Sequence, residues 1–366
     1  YLAKNYNITD IAVIEKGWIG GGNTGRNTTI IRSNYLQESS IGIYEKSRFL
    51  YETLSQDLNY NIMFSPRGVL MLCQTEHELR AMKRTSHANR INGVDTKMVA
   101  PEEVKEIVPI INIDGPRFPV LGALWQPRGG TARHDAVAWG YARKCSDYGI
   151  DIIEQCEVIG VKKKRDKIVG METTKGHIKA KKVCFVVAGH SSVLADLAGF
   201  RLPIESVALQ ALVSEPIKPI IDCVVMANTV HGYLSQSDKG ELVIGGGADG
   251  YNNYSQRGSF LHIEETVRAL VETFPVISRL RQLRQWGGIV DMTGDRSPII
   301  SKTPVGGLYI NCGWGTGGFK AIPGSGWATA EMIYNEKPGK LASPFSIDRF
   351  LEGRLIDESA AAAVAH

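Results

Sequence analysis

The sequence predicts a mixed α/β (α+β) fold in which two domains interleave along the chain. Three observations carry this. β-type and helical segments alternate from end to end without one clean boundary, which fits interleaved domains better than two beads in series. An apolar strand, Ile11–Ile14, closes on an acid, Glu15, as a strand of a dinucleotide-binding βαβ unit does. Glycine, 39 of 366 residues, concentrates at 20–25, 245–250 and 313–326, where backbone approaches a ligand or turns tightly.

The elements follow in order. "YLAKNYNITDIAVIEKG" reads as the last turns of a helix, a turn over Asn5–Thr9, and a buried strand Ile11–Ile14. The G-x-G-x-x-G that should precede Glu15 is not in the sequence, so the N-terminal strand and Gly-rich loop are expected before Tyr1. Glu15 therefore stands on half a motif. A glycine-rich segment then passes into a β-type run carrying Arg32, and Ile41, Tyr44, Phe49, Leu50 and Leu54 recur at helical spacing between Ser39 and Leu58.

"RGVLMLC" at 67–73 reads as a strand and Glu76–Arg90 as a polar helix; "APEEVKEIVPII" opens another with proline in its first turn. "VLGALWQPRGGTARH" is strand-like and leads to His134, where an amphipathic helix begins that stops near Gly149. Short strands follow, turning at Arg165–Asp166 and Lys175–Gly176. "KVCFVVAGHSSVLADLAG" is a buried strand, a small-residue turn and a helix. Residues 202–250 are β again, Phe260–Phe274 helical, and "RQWGGIVDMTGDRSPII" extended. "GLYINCGWGTGGFKAIPGSGWATAEMIYNE" reads strand, glycine loop, helix, and "AAAAVA" at 360–365 is a short small-residue tail.

A net charge of +4 with no element concentrating it argues against nucleic acid as the main partner. The densest basic run, "KKKR" at 162–165, reads as a solvated turn. Cys73, Cys145, Cys156, Cys184, Cys223 and Cys312 form no C-x-x-C pair and no His/Cys cluster of metal spacing, so no metal is expected and a reducing cytoplasm fits. No apolar run approaches the roughly 18 residues of a membrane span, and no signal peptide is recognisable. On spacing alone, His134 is a helix-start residue with a polar neighbour.

"IAVIEKGWIGGGNTGRNTTIIRSNY", "PRGGTARHDAVAWGYARK", "VAGHSSVLADLAGF", "WGGIVDMTGDRSPII" and "YINCGWGTGGFKAIPGSG", in this order, resemble the β subunits of heterotetrameric sarcosine oxidases, among the D-amino-acid-oxidase-like flavoproteins. The likeness runs from the first residue to the C-terminal "IDESAAAAVAH". It implies an FAD-binding Rossmann-like domain (1–60, 133–200 and 285–366) interleaved with an antiparallel-sheet substrate domain (61–132 and 201–284). Non-covalent FAD would oxidise sarcosine to glycine. FMN, covalently held by a histidine, would pass the electrons to oxygen, giving hydrogen peroxide. The resemblance further implies a large α subunit, small γ and δ subunits, and tetrahydrofolate elsewhere in the assembly. The one-carbon unit would leave as formaldehyde or 5,10-methylenetetrahydrofolate.

Residue by residue, "ARHD" matches the flavinylated segment, so His134 resembles the FMN-bearing histidine. A neutral imidazole, with an ordinary pKa near 6.5, is a competent nucleophile near pH 7. Arg32 and Lys320 match the cationic positions that hold the substrate carboxylate, a role suited to arginine's planar fork and a second point charge. Surface readings stand beside these: an ion-paired strand-edge arginine and a solvated lysine. Tyr233 sits where relatives place a tyrosine over the substrate, and reads equally as a core tyrosine. The resemblance sets Glu15, Lys16, Gly22, Asn23, Thr28, Thr29, Ile30 and Gly189 along FAD, together with the loop Gly315, Thr316, Gly317, Gly318 and Phe319 that leads into Lys320. Two departures matter. Single-chain relatives attach FAD through a cysteine in the segment matching "GGIVDMTGD", which has none here, so FAD should be non-covalent. They also carry a lysine that speeds the oxygen reaction where this sequence offers Val243, so reduced FAD here should pass its electrons on. The alternatives are a one-flavin oxidase or dehydrogenase of glycine, proline or dimethylglycine, and a non-catalytic assembly subunit.

Overall fold

The computed structural model describes residues 1–358; the small-residue tail expected at 360–365 lies outside the described residues. An eight-stranded sheet forms one half of the molecule. Its order is Gln282–Thr293, Ile204–Pro216, Glu241–Ala248, Gly232–Gln236, Val224–Ala227, Val69–Cys73, Gly122–Gln126 and Lys97–Val99. Neighbours run antiparallel, except where Val224–Ala227 lies parallel to Val69–Cys73 and so joins two distant stretches of chain. The strand Gln282–Thr293 runs unbroken through residue 285. Helix Phe260–Thr273 covers one face, burying Leu270 and Ile263 against Leu234 and Ile244. That apolar burial is the main term holding sheet to helix.

The other half is built on two short parallel ladders. Ala12–Ile14 pairs with Asp151–Ile153, and Val183–Phe185 with Leu308–Cys312, which Ile299–Lys302 flanks antiparallel. The segments 11–14 and 183–187 were expected to be buried. Instead Val13 is 42% exposed, on a strand that has a single neighbour among the described residues, and Val186, just past the strand Val183–Phe185, is 63% exposed because it lines a cleft. The lysines of the basic run also differ from expectation: Lys162–Lys164 lie on the strand Val158–Lys164, and Arg165 takes the turn at φ 55°.

Long helices Glu38–Leu58 and Gly318–Asn335 cross closely beside these ladders. Gly324 permits the approach, since a Cβ there would lie 2.8 Å from the Ile43 carbonyl oxygen. Three hydrogen bonds fix the crossing: Ser47 Oγ donates to the Lys320 carbonyl (2.6 Å) and accepts the Gly324 N–H (3.2 Å), and Tyr51 donates to the Phe319 carbonyl (2.7 Å). Caps follow sequence chemistry elsewhere. Helix Glu76–Ile91 starts at Thr75, whose hydroxyl accepts the Glu78 N–H, with Glu76 and Glu78 in the positive first turn.

Candidate active-site cleft

Where the eight-stranded sheet meets the start of helix Gly318–Asn335, a cleft encloses about 1420 Å³, its open mouth included. Many residues picked out in the sequence converge on it. Asn23, Thr28, Thr29, Ile30 and Arg32 come from the segment after the first glycine cluster, and Tyr233 from the sheet. Gly315, Thr316, Gly318, Phe319 and Lys320 come from the glycine loop and the helix it opens.

Arg32 and Lys320 are 3% and 7% exposed, so both are core cations rather than surface ones. The chain beyond Arg32 is pinned: Ser33 N–H donates to Gln126 Oε1 (3.1 Å), Gln126 Nε2 donates to Ser33 Oγ (2.7 Å), and Ser33 Oγ donates to Glu45 (2.5 Å). The Arg32 guanidinium donates to Asn34 Oδ1 (2.9 Å) and lies over the Tyr35 ring, 4.4 Å from its centroid. Lys320 Nζ donates to the Thr316 carbonyl (2.9 Å). Burial, and then Arg32, push the Lys320 ammonium well below the ordinary lysine range. An anion received between these two groups relieves both effects.

The 20s segment is a clamp as well as a wall. Asn23 exchanges side-chain hydrogen bonds with the backbone of Ile289, accepting its N–H at 3.0 Å, and Trp286 donates to the Arg26 carbonyl (2.7 Å). Thr29, a β-branched residue, sits at φ 67°, a conformation that strains it and that recurs at binding sites. Thr28 Oγ1 donates to the Tyr233 hydroxyl at 3.0 Å. Burial raises the Tyr233 phenol to about 12, so it stays protonated at neutral pH.

Sequence reading missed several cleft residues: Gln210, Met226, Asn311, Trp314 and above all Asp291. Asp291 is 1% exposed and accepts the Gly313 N–H at 2.5 Å. Burial raises its carboxyl to about 6, against the opposing pull of backbone N–H groups, those of Gly313, Trp314 and Gly315 among them. A lone acid inside the apolar strand "GGIVDMT" was the available signal.

The remaining predicted residues do not line the cleft, nor does Val243. The Glu15 carboxylate accepts the Gly17 N–H (2.7 Å), and Lys16 pairs with Glu157 at the surface (2.7 Å). Gly22 precedes the 3₁₀ turn Asn23–Arg26, and a Cβ on Gly189 or Gly317 would run into Ile289 or Tyr44. His134 opens helix His134–Asp147 on another face, beside the Arg133–Asp135 ion pair (2.8 Å), with Arg133 also reaching Asp238 (3.6 Å). Burial lowers the His134 imidazole, which keeps it neutral at pH 7.

The cleft fits the isoalloxazine end of a flavin. The Gly288 Cα faces it, a Cβ there meeting nothing closer than Arg26 Cβ at 3.7 Å. The peptide units of Thr316 and Gly318 lie at its wall where a helix opens, which favours the negative charge a flavin gains on reduction. Among the described residues lining it there is no cysteine. No group of His, Cys, Asp and Glu able to hold a metal occurs among the described residues, and no helix there is long and apolar enough to cross a membrane.

A family model described as FAD dependent oxidoreductase matches residues 1–332. The chain is 69% identical to the sarcosine oxidase subunit beta of Rhodobacter capsulatus, over 100% of this chain and 88% of that one. It is 57% identical to the subunit beta of Arthrobacter sp, over 100% and 91%. The crystal structure of L-proline dehydrogenase from P. horikoshii superposes with a TM-score of 0.90 at 31% identity, covering 97% of this chain and 94% of that one. The chain belongs to the FAD dependent oxidoreductase family and, within it, to the sarcosine oxidase β subunits.

Proposed function

We propose that this flavoenzyme oxidises sarcosine to glycine as the β subunit of an oxidase complex. The observation that carries the reading is the buried pair of cations, Arg32 and Lys320, on one cleft, with no carboxylate among the described residues ion-paired to Lys320. A small amino acid binds there by its carboxylate, Arg32 offering a planar fork and Lys320 a point charge. The Tyr233 hydroxyl, held by Thr28, closes the other side and orients the N-methyl group. Bound FAD supplies the two-electron acceptor; the absence of cysteine from the lining favours its being held non-covalently. No strong base is required, because the substrate enters as the free amine.

The finer reading concerns His134. A neutral imidazole at a helix N-terminus, next to Arg133, suits a nucleophile that must also accommodate a phosphate. With FMN bonded there, electrons would leave FAD for FMN and then oxygen, giving hydrogen peroxide. The α, γ and δ subunits and tetrahydrofolate complete this picture. Formaldehyde or 5,10-methylenetetrahydrofolate is then the one-carbon product. Residues 1–60, 133–200 and 285–366 would serve the flavins, and 61–132 and 201–284 the substrate.

The test is intact mass after acid precipitation, with and without partner subunits. An increase of one FMN, mapped to the His134 peptide and lost in His134→Asn, is the expected result. All flavin in the supernatant after co-expression favours a one-flavin enzyme instead. That second reading draws on the close superposition with L-proline dehydrogenase, and turnover with sarcosine, proline, glycine and dimethylglycine discriminates it. A chain without any flavin is an assembly subunit.

A further inference from the structure

Asp291 is the one carboxylate among the described residues lining the cleft, which also presents Arg26, Arg32 and Lys320. It stands on the strand Gln282–Thr293, and its carboxylate reaches across to the end of the strand Leu308–Cys312. There it engages the consecutive backbone N–H groups of Gly313, Trp314 and Gly315, directly ahead of helix Gly318–Asn335. From the same strand end the Cys312 thiol lies close enough that Asp291 helps to raise its pKa.

Consecutive amides before a helix form a cradle for negative charge. Left open toward the cleft, they would stabilise the anionic charge of a reduced flavin. Asp291 occupies them with a group of the protein itself and adds a buried negative charge, of the same sign as that of a reduced flavin.

We propose that Asp291 is a positioning residue that lowers the electron affinity of the flavin site, by holding the amides of residues 313–315 and setting a negative charge beside the cleft. This rests on the flavin reading of the cleft. The consequence is a reduced cofactor that gives up electrons readily, as a subunit that hands them to a second acceptor requires. Its raised carboxyl, near 6, places the group where reduction of a neighbour draws a proton onto it.

Asp291→Asn keeps an acceptor oxygen for the loop and removes the charge. The readout is the midpoint potential of FAD in the intact complex, by equilibration with a dye of known potential. The reduced-to-oxidised ratio at fixed poise is expected to rise about tenfold, equivalent to about 30 mV for a two-electron couple. Asp291→Glu restores the wild-type ratio. FAD content, from flavin released on denaturation, is measured alongside. A variant that loses FAD without moving the potential of what remains shows a merely structural role and overturns the proposal, as does full FAD with a ratio within twofold of wild type.

Where Asp291→Asn does not fold, the wild-type potential is followed against pH. Uptake of one further proton per electron pair steepens the slope by about 30 mV per pH unit above about pH 6. A slope without that break overturns the proposal. A wild-type complex whose β chain carries no FAD overturns the flavin reading, and the proposal with it.

Discussion

The hydroxyls of Tyr233 and Thr28 meet at 3.0 Å, joining the eight-stranded sheet to the loop that leads to Arg32. Tyr233 stands 205 residues from Thr28 and is 6% exposed, so this contact fixes two walls of the cleft relative to each other. Removing the phenol oxygen with Tyr233→Phe leaves the Thr28 hydroxyl without that partner. A neutral hydrogen bond contributes about 1 kcal/mol, so kcat/KM for sarcosine should fall about fivefold. The loss should appear mainly in KM, with FAD content unchanged. Steady-state kinetics within twofold of wild type would show the contact to be dispensable.

Lys320 gives a prediction about pH. Its ammonium is held well below the ordinary lysine range by burial and by Arg32, so the unfolded chain binds its proton more tightly than the folded chain does. The cost of burying the charge is complete below the folded pKa and vanishes as pH rises to the unfolded value, about 10.4. Lys320→Met should therefore raise the melting temperature at neutral pH, by an amount that shrinks toward pH 10. The same variant should lose sarcosine binding. A thermal gain that is flat with pH would mean that lysine charge is not its source.

Much of the fold was readable, and the reasons differ by residue. Helix 38–58 announces itself by the helical spacing of Ile41, Tyr44 and Leu54, which it buries, and helix 76–91 by its run of polar helix formers. The cations Arg32 and Lys320 were legible only through the motif likeness; composition cannot tell a buried arginine from a surface one. The exposure of Val13 and Val186 was misread because an apolar run signals a strand but not what lies beside it, a single neighbouring strand for Val13 and the cleft for Val186. Asp291 escaped notice because its importance lies in amides of residues 313–315, some twenty positions away and brought near only by the sheet. Thr29 was picked out through the motif likeness, but its strained conformation was not, since a positive φ leaves no mark on a threonine.

Arg349 and Asp295 form a buried, two-pronged ion pair, with contacts of 2.8 and 2.9 Å and both side chains fully covered. Arg349 also donates to the Ser297 carbonyl (2.8 Å), and Asp295 accepts the Ile356 N–H (3.1 Å), tying down the C-terminal segment. Arg349→Met leaves a buried carboxylate without its counter-charge and should cost about 3–5 kcal/mol in urea unfolding. The Arg349→Met/Asp295→Leu double variant should recover most of that. Arg349 and hydrogen bonding hold the Asp295 carboxyl below its ordinary value, so the pair's contribution is present above that value and lost as pH falls through the folded one. The gap between wild type and Arg349→Met should narrow correspondingly in acid.

Gly324 tests whether the helix crossing sets the site. In an open helix, alanine in place of glycine gains about 1 kcal/mol. Here the added Cβ would lie 2.8 Å from the Ile43 carbonyl oxygen and 2.9 Å from Ser47 Cβ, and backbone cannot swing aside as a long side chain can. Helix 318–335 must back away from helix 38–58, so Gly324→Ala should destabilise by about 1–3 kcal/mol net. The displacement also loosens the Ser47 bond to the Lys320 carbonyl, so KM for sarcosine should rise in the same variant. Gly294→Ala is the control, because a Cβ there meets nothing within 4 Å. Differential calorimetry of both variants decides it: equal melting temperatures would mean the helices have room to adjust, and the close crossing would not be what places Lys320.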